Sequence, residues 1–202
     1  MTEDKVHAMA EQLVRFYKRF ALLFGKKQAQ DHAYTYAKGR LVCPERKSIK
    51  PIALNVGVGQ VSALQKFINI APWEHGEVQA VFADKLVPTA IDSPIRVVGV
   101  VDERVFTEKG THCASVARQY NDRLGKEDNC QVGVILVGVT PGSSVLLNHQ
   151  LYLPESWCED TRESRTRRQK VHIPDNVGFQ TKPQITDGLI CQIVALGIMH
   201  LD

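Results

Sequence analysis

The sequence predicts an α/β protein in which an all-helical N-terminal domain is followed by strands and a closing helix. Across residues 5–86, apolar side chains recur at helical intervals of three and four positions. The stretch Val97–Val101 contains four β-branched residues and one glycine, which indicates a strand. The pattern changes at Ser93-Pro94, so we expect a helical domain over residues 1–93 and an α/β domain over residues 94–202.

Five helices are expected in the N-terminal domain, and two of them flank a short glycine turn at residues 57–59. Helix, turn and helix is the arrangement of a helix-turn-helix unit, in which Ala53 would be the small contact residue and Gly57 the turn glycine. Many helical hairpins without a role in DNA binding share this pattern, so both interpretations stay open. The predicted helices cover residues 5–24, 27–39, 49–56, 60–68 and 73–86.

Three strands and a final helix are expected in the α/β domain. The first strand, Arg96–Asp102, would be a central strand covered on both faces and ending in Asp102 and Glu103. Thr140–Ser143 predicts a hairpin turn between two further strands. The charged segment 155–170 is expected to be exposed, either partly helical or disordered. The remaining elements are strands at 130–139 and 144–153 and a helix at 183–196.

The carboxylates at the predicted end of the first strand have a chemical implication. Burial of a carboxylate costs free energy unless a cation or a hydrogen-bond donor compensates it. Metal-dependent phosphoryl-transfer enzymes place an aspartate on a rigid strand in this way to hold Mg²⁺ or Mn²⁺. Glu103 would point to the opposite face from Asp102, because side chains alternate along a regular strand.

Basic residues are concentrated in parts of the chain, although the formal net charge is only +3. Between Gln12 and Lys50, ten lysines and arginines stand against two carboxylates. A second basic cluster lies at Arg162–Lys170. This asymmetry favours a polyanionic partner, and a solvated basic face without a ligand is the alternative.

Several other classes of protein are disfavoured by the composition. The five cysteines are scattered singly, which argues against a disulfide framework and a zinc site. No apolar run is long enough for a transmembrane helix, and the N-terminus lacks the pattern of a signal peptide. Gly57-Val58-Gly59 is not followed by the Lys-Ser/Thr of a phosphate-binding loop.

A series of short motifs in a fixed order carries a family resemblance. Over about residues 13–198, the chain resembles the DDE-superfamily transposases of bacterial insertion sequences. The motifs are Pro44-Glu45-Arg46-Lys47, Ala71-Pro72-Trp73, Val101-Asp102-Glu103, Lys109-Gly110, Ala117-Arg118-Gln119-Tyr120, Asn129-Cys130-Gln131-Val132 and Leu151-Tyr152-Leu153-Pro154.

The resemblance implies an RNase H-like catalytic core behind a helical DNA-binding domain. Such enzymes cleave and transfer DNA strands through two divalent ions, Mg²⁺ or Mn²⁺, held by two aspartates and a glutamate. Asp102 would be the first catalytic carboxylate and metal ligand. The implied partner is double-stranded DNA, both transposon ends and target DNA, with no membrane and with homo-oligomers left open. The implied location is the bacterial cytoplasm, in association with the nucleoid.

This sequence departs from the family pattern in two places. Arg104-Val105 replaces a small Thr-Gly pair, and Arg104 brings a cation next to Asp102. The second aspartate and the glutamate are expected beyond Asp202, so we expect a core truncated at its C-terminus that is not catalytic alone. A non-catalytic DNA-binding remnant, or an inhibitor of a full-length transposase, is the alternative function. An α/β domain without a nucleic-acid role is the third hypothesis.

Seven basic residues are candidates for contacts with DNA. Arg118 could instead pack beside Tyr120, and single lysines on loops are often only solvated. Trp73 and Trp157 are expected to be core anchors rather than platforms for base stacking. The seven candidates are Arg40, Arg46, Lys47, Lys66, Arg118, Lys126 and Lys182.

Overall fold

The computed structural model describes residues 2–44, 47–57, 61–85, 97–111 and 113–198, and the chain divides into two compact units, residues 1–82 and 83–202. The described residues contain seven α-helices and one antiparallel sheet of four strands, which confirms the mixed α/β class. The domain boundary predicted at Ser93-Pro94 lies outside the described residues. None of the described helices combines the length and apolar character that a bilayer span requires.

The helices and strands occur in the following order. Unit 1 contains α1 (Glu3–Lys18), a 3-10 helix (Ala21–Phe24), α2 (Lys27–Val42), α3 (Ile49–Asn55) and α4 (Val61–Asn69), and α5 (His75–Lys85) crosses into unit 2. Unit 2 continues with β1 (Val98–Thr107), β2 (Ala117–Asn121), β3 (Lys126–Val139), β4 (Ser144–Leu151), a second 3-10 helix (Glu155–Trp157), α6 (Arg162–Lys170) and α7 (Lys182–Ala195).

The first helix ends earlier than its apolar pattern predicts. α1 stops at Lys18. Phe20 directly precedes the 3-10 helix, and Phe24 is its last residue. Phe24 packs edge-on against Phe67 and Trp73, with ring centroids 5.6 and 5.9 Å away. The Tyr17 hydroxyl donates to the carbonyl oxygen of Gln30, and burial, with a smaller effect of Asp31, raises the pKa of Tyr17 to about 12.

Helices α2, α3 and α4 pack around a small apolar core. Ile52, Ala53 and Leu64 are fully buried there. Gly39 of α2 lies so close to α3 that a Cβ atom at this position would be 2.2 Å from Cγ2 of Ile52. Gly57, after α3, has a φ of +73°, a conformation that glycine adopts at little cost. The predicted small contact residue and turn glycine are therefore both present.

The sheet is organised around its longest strand. β3 pairs with β1, β2 and β4, and all of these pairings are antiparallel. The β3–β4 hairpin has the predicted turn, in which the backbone N–H of Thr140 donates to the carbonyl of Ser143 at 2.9 Å. α7 covers one face of β3 and β4 with Ile185, Leu189 and Ile193, all buried.

The prediction for the first strand is wrong in its burial and in its end. β1 continues to Thr107, and Val98, Val100 and Val101 are exposed by 56%, 44% and 39%. The strand does not stop at the carboxylates because β3 is long enough to pair with it as far as Thr107 opposite Cys130. Among the described residues β1 pairs with β3 alone, so it lies at a sheet edge and not at the centre.

Two further elements differ from the expectation. β2 was not predicted, and its five residues pair with the N-terminal part of β3. The basic segment is not a disordered insertion, since Arg162–Lys170 forms α6. Thr161 caps this helix by accepting a hydrogen bond from the backbone N–H of Ser164 at 3.1 Å.

Both tryptophans are anchors, as predicted. Trp157 is fully buried, and its indole N–H donates to the carbonyl of Val116 at 3.0 Å. The guanidinium of Arg167 lies 3.7 Å above the Trp157 ring and donates to the same carbonyl at 2.6 Å. Burial lowers the pKa of Arg167, with Glu163 acting in the opposite direction. The indole N–H of Trp73 donates to the carbonyl of Phe67 at 3.0 Å.

Ser115 occupies a position that suits glycine better. Its φ is +61°, and its fully buried hydroxyl has no hydrogen-bond partner among the described residues. We expect Ser115→Gly to stabilise the protein by about 1–2 kcal/mol. Glycine removes the strain of a left-handed backbone and the buried hydroxyl without a partner, and together these gains exceed the cost of the greater conformational entropy that glycine loses on folding. Urea denaturation followed by circular dichroism measures this change.

Two control variants separate the causes of that gain. His172 is the other non-glycine residue with positive φ (57°) in the described chain, and it is exposed, so His172→Gly should gain only the backbone part. Ser115→Ala removes the hydroxyl and keeps the strain. A Ser115→Gly protein less stable than the wild type would contradict the prediction.

Candidate functional site

The two adjacent carboxylates lie in the middle of β1. Asp102 is opposite Ile135 and Glu103 is opposite Val134, so the two side chains point to opposite faces of the sheet. Both residues are exposed, and an Asp102 carboxylate oxygen accepts a hydrogen bond from the Glu103 backbone N–H at 2.8 Å. The expected cost of a buried carboxylate therefore does not arise at Asp102.

Glu103 is held by a lysine from the helix that covers its face. Lys182, the first residue of α7, places Nζ 2.5 Å from a carboxylate oxygen of Glu103 and 5.4 Å from the centre of the Tyr152 ring. The start of α7 is fixed by a capping box between Thr181 and Gln184. The contact lies on the face opposite Asp102, where the alternation of side chains predicted Glu103 to be, and it engages Lys182, one of the candidates for DNA contacts.

A cleft of about 870 Å³ lies beside these residues in unit 2. Its wall includes Asp102, Glu103 and Lys182, and sequence reasoning missed two further carboxylates, Asp122 and Asp187. Asp122 follows the unpredicted strand β2, so no local pattern pointed to it. Asp187 lies four residues after Pro183 on α7, and helical spacing alone would place these two on one face.

The described residues do not fit the two-metal site that the resemblance implies. No group of three or more His, Cys, Asp or Glu side chains among them is arranged to hold a metal ion. Glu103 is engaged by Lys182 and points away from Asp102, so these two neighbours cannot chelate one ion together. Asp102 remains as a single exposed carboxylate, and one carboxylate cannot ligate two Mg²⁺ ions in octahedral geometry.

Arg104, which departs from the family pattern, does not form an ion pair with Asp102 in the described residues. Arg104 lies on the same face of β1 as Asp102, two residues further along the strand. In the described parts of the chain, no ion pair joins the two side chains. Arg104 therefore adds positive charge to the face that carries Asp102 without neutralising its carboxylate through a direct contact.

The candidate DNA-contacting residues fall into two groups. In unit 1, Arg40 donates from Nη1 to the backbone carbonyl of Lys47 at 3.0 Å, which ties the Arg40 side chain to the segment before α3, and Lys66 is exposed on α4. Arg46 lies outside the described residues. In unit 2, Arg118 on β2 and Lys126 at the start of β3 are exposed.

Most basic residues of the cluster Arg162–Lys170 contact other groups of the same chain. Arg165 forms an ion pair with Asp160 at 2.7 Å, and Arg167 stacks on Trp157. Arg168 donates to the carbonyls of Pro174 and Val177 at 2.7 and 2.6 Å. The cluster therefore contributes less free positive charge to a polyanion surface than its sequence predicts.

The cysteines show no arrangement for nucleophilic chemistry in the described residues. Cys130 is fully buried, and burial, reinforced by Asp128, raises the pKa of its thiol. All five cysteines are free thiols.

Comparison with known proteins assigns the chain to a family. The family model of the DDE superfamily endonucleases matches residues 18–200. The chain belongs to the DDE superfamily endonucleases. A protein from Microchaete diplosiphon described as "Probable transposase for insertion sequence element IS701" is 28% identical over 153 residues, which are 76% of this chain and 36% of that protein. No solved structure matches the chain.

The family match runs through both compact units of this DDE superfamily endonuclease chain, from α1 to the end of α7. The resemblance found from the motifs is thereby confirmed at the level of the family. The chain spans about a third of the length of the curated relative (36%).

Proposed function

We propose that this chain is part of an insertion-sequence transposase, in which the helical unit binds double-stranded DNA and the sheet contributes part of an RNase H-like catalytic core. The observation that supports this most directly is the family match over residues 18–200, together with the description of its relative as a probable transposase. An excess of exposed cations in unit 1, including Arg40, Lys47 and Lys66, is the charge pattern that phosphate backbones require.

In this proposal Asp102 contributes one metal-ligand carboxylate at the edge of the sheet. The neighbouring Glu103 points to the opposite face, where it is paired with Lys182. Two-metal cleavage of DNA needs further carboxylates, which the described residues do not bring to Asp102. We therefore expect no strand cleavage by this 202-residue polypeptide alone. A homo-oligomer, if one forms, would bring further copies of unit 1 to the DNA.

A non-catalytic DNA-binding protein or an inhibitor of a full-length transposase is the second candidate. The observation that favours it is Arg104-Val105, which places a charged and a β-branched side chain directly after the carboxylates. The reading frame in the source DNA after the Asp202 codon separates the two candidates. A frame that continues into a strand with an aspartate and a later helix with a glutamate supports the transposase, and an immediate stop supports the DNA-binding remnant.

Both candidates predict DNA binding that weakens steeply with salt. We expect the logarithm of affinity for a duplex to fall linearly with the logarithm of salt concentration, because bound cations displace counterions. Lys66→Ala should reduce that slope by about 1. Lys27→Ala is the matched control, since Lys27 already pairs with Asp31 at 2.8 Å and should change the slope little. Fluorescence anisotropy with labelled duplexes measures both.

The same preparation tests Asp102. With Mn²⁺ and a supercoiled plasmid we expect no nicking by the chain alone, and Asp102→Ala should leave DNA affinity nearly unchanged, because a carboxylate does not attract phosphate. A large loss of affinity in Asp102→Ala would contradict its assignment as a metal ligand. The absence of salt-dependent DNA binding by the wild type would overturn both candidates.

A further inference from the structure

Helix α4 has a buried apolar face and an exposed polar face. Leu64 and Phe67 are buried and Val61 and Ile68 half-buried, so one side of the helix is fixed to the rest of unit 1. The exposed residues of the helix are Ser62, Gln65, Lys66 and Asn69. Gln65 and Lys66 lie three and four residues after Ser62 and four and three residues before Asn69, so the four residues share one face.

That face carries hydrogen-bonding groups without negative charge. Gln65 and Asn69 each offer an amide N–H and a carbonyl oxygen, and Ser62 offers a hydroxyl. In the described part of the protein, no side-chain hydrogen bond engages any of the three. The neighbouring helices differ, because α1 and α2 expose charged residues of both signs, such as Glu11, Arg15 and Asp31.

The elements that pack on α4 supply further cations around this face, which itself carries Lys66. α2 and α3 both contact α4, and they carry Arg40 and Lys50, both exposed. Lys47, whose backbone carbonyl accepts a hydrogen bond from Arg40, lies two residues before α3. Amide and hydroxyl groups on one helix, with Lys66 beside them and further cations on the partner elements, match duplex DNA, in which phosphates flank the base edges of the major groove.

We infer that α4 is a recognition helix, in which Gln65 and Asn69 contact base edges in the major groove of DNA. The inference rests on the proposed function, because it requires a DNA partner. Glutamine and asparagine form bidentate hydrogen bonds with N6 and N7 of adenine, so the recognised site contains adenines. Ser62 lies at the N-terminal end of α4, where a helix-turn-helix unit approaches the bases, and Lys66 contacts a phosphate.

The test is selection of bound sequences from a pool of random duplexes by the full 202-residue chain, followed by affinity measurements on the selected and a scrambled duplex. We expect the selected sequence to contain adenines. Gln65→Ala and Asn69→Ala should each reduce the ratio of the two affinities by about 5- to 150-fold, the range for loss of one bidentate contact. Affinity for the scrambled duplex and the salt slope should stay unchanged, because both depend on cations.

The control is Gln28→Ala, the same change at an exposed position of α2. Alanine favours helices, so circular dichroism should show all three variants folded. A preference for the selected duplex that survives both α4 substitutions would overturn the inference and leave the proposed DNA binding intact. Binding without any sequence preference would do the same. No binding of any duplex would instead overturn the proposed function.

Discussion

Trp157→Ala is expected to destabilise unit 2 by about 3–5 kcal/mol, the usual cost of removing a large aromatic side chain from a core. The ring is fully buried, and its indole N–H is one of two donors to the Val116 carbonyl. The substitution also removes the aromatic surface under Arg167, whose guanidinium would remain half-buried without the ring. Urea denaturation followed by far-UV circular dichroism measures the change in the free energy of unfolding.

Two further variants identify the source of this loss. Trp157→Phe keeps an aromatic ring and removes the indole donor, so it should cost less than Trp157→Ala. If the stacked pair is coupled, Arg167→Ala should destabilise less in a Trp157→Ala background than in the wild type. A loss below about 1 kcal/mol for Trp157→Ala would be typical of a surface site and would contradict this account of the core.

Gly39→Ala is expected to destabilise unit 1, although alanine is the better helix former by about 1 kcal/mol. A Cβ atom at this position would lie 2.2 Å from Cγ2 of Ile52, so α2 and α3 would have to separate. Overpacking of this kind costs about 1–3 kcal/mol, and the very short distance places Gly39→Ala at the upper end. The same urea experiment measures it, and DNA affinity should fall with the loss of the α2–α3–α4 core.

Gly76→Ala is the matched control for this prediction. Gly76 lies in α5, and a Cβ atom there would meet no other atom within 4 Å, so the substitution should be neutral or stabilising. In an Ile52→Ala background the clashing Cγ2 is absent, and Gly39→Ala should then cost much less. Equal costs of Gly39→Ala in both backgrounds would show that the close approach to Ile52 is not the cause.

The helices could be predicted from the sequence because their signals are local. Apolar spacing located α2 to α5 within a few residues, and Ala53 and Gly57 marked the α3–α4 connection. The start of α7 was equally visible, since Thr181 and Pro183 are typical of a helix N-terminus.

The sheet was harder to predict because its elements depend on distant partners. β2 contains Arg118, Gln119 and Asn121, which have weak strand preference, and only pairing with β3 makes it a strand. β1 continues beyond Glu103 for the same reason. The apolar residues of β1 suggested that the strand is buried. In the described residues β1 has a neighbouring strand on one edge only, and three of its valines stay exposed.

In the candidate site, too, features set by local sequence could be predicted and contacts between distant residues could not. The opposite orientations of Asp102 and Glu103 were predictable from the alternation of side chains in a strand. The partner of Glu103 was not, because Lys182 lies 79 residues away along the chain. Ser115 was also missed, since nothing in its neighbours indicates a positive φ.

The central position of β3 determines when the sheet can appear during protein synthesis. In the described residues every strand pairing includes β3, and β1 is synthesised before any residue of β3. A nascent chain whose β3 is still inside the ribosome therefore carries β1 as an apolar segment that has no strand to pair with. The helices of unit 1 can fold on local contacts during this interval, whereas the sheet must wait for its third strand.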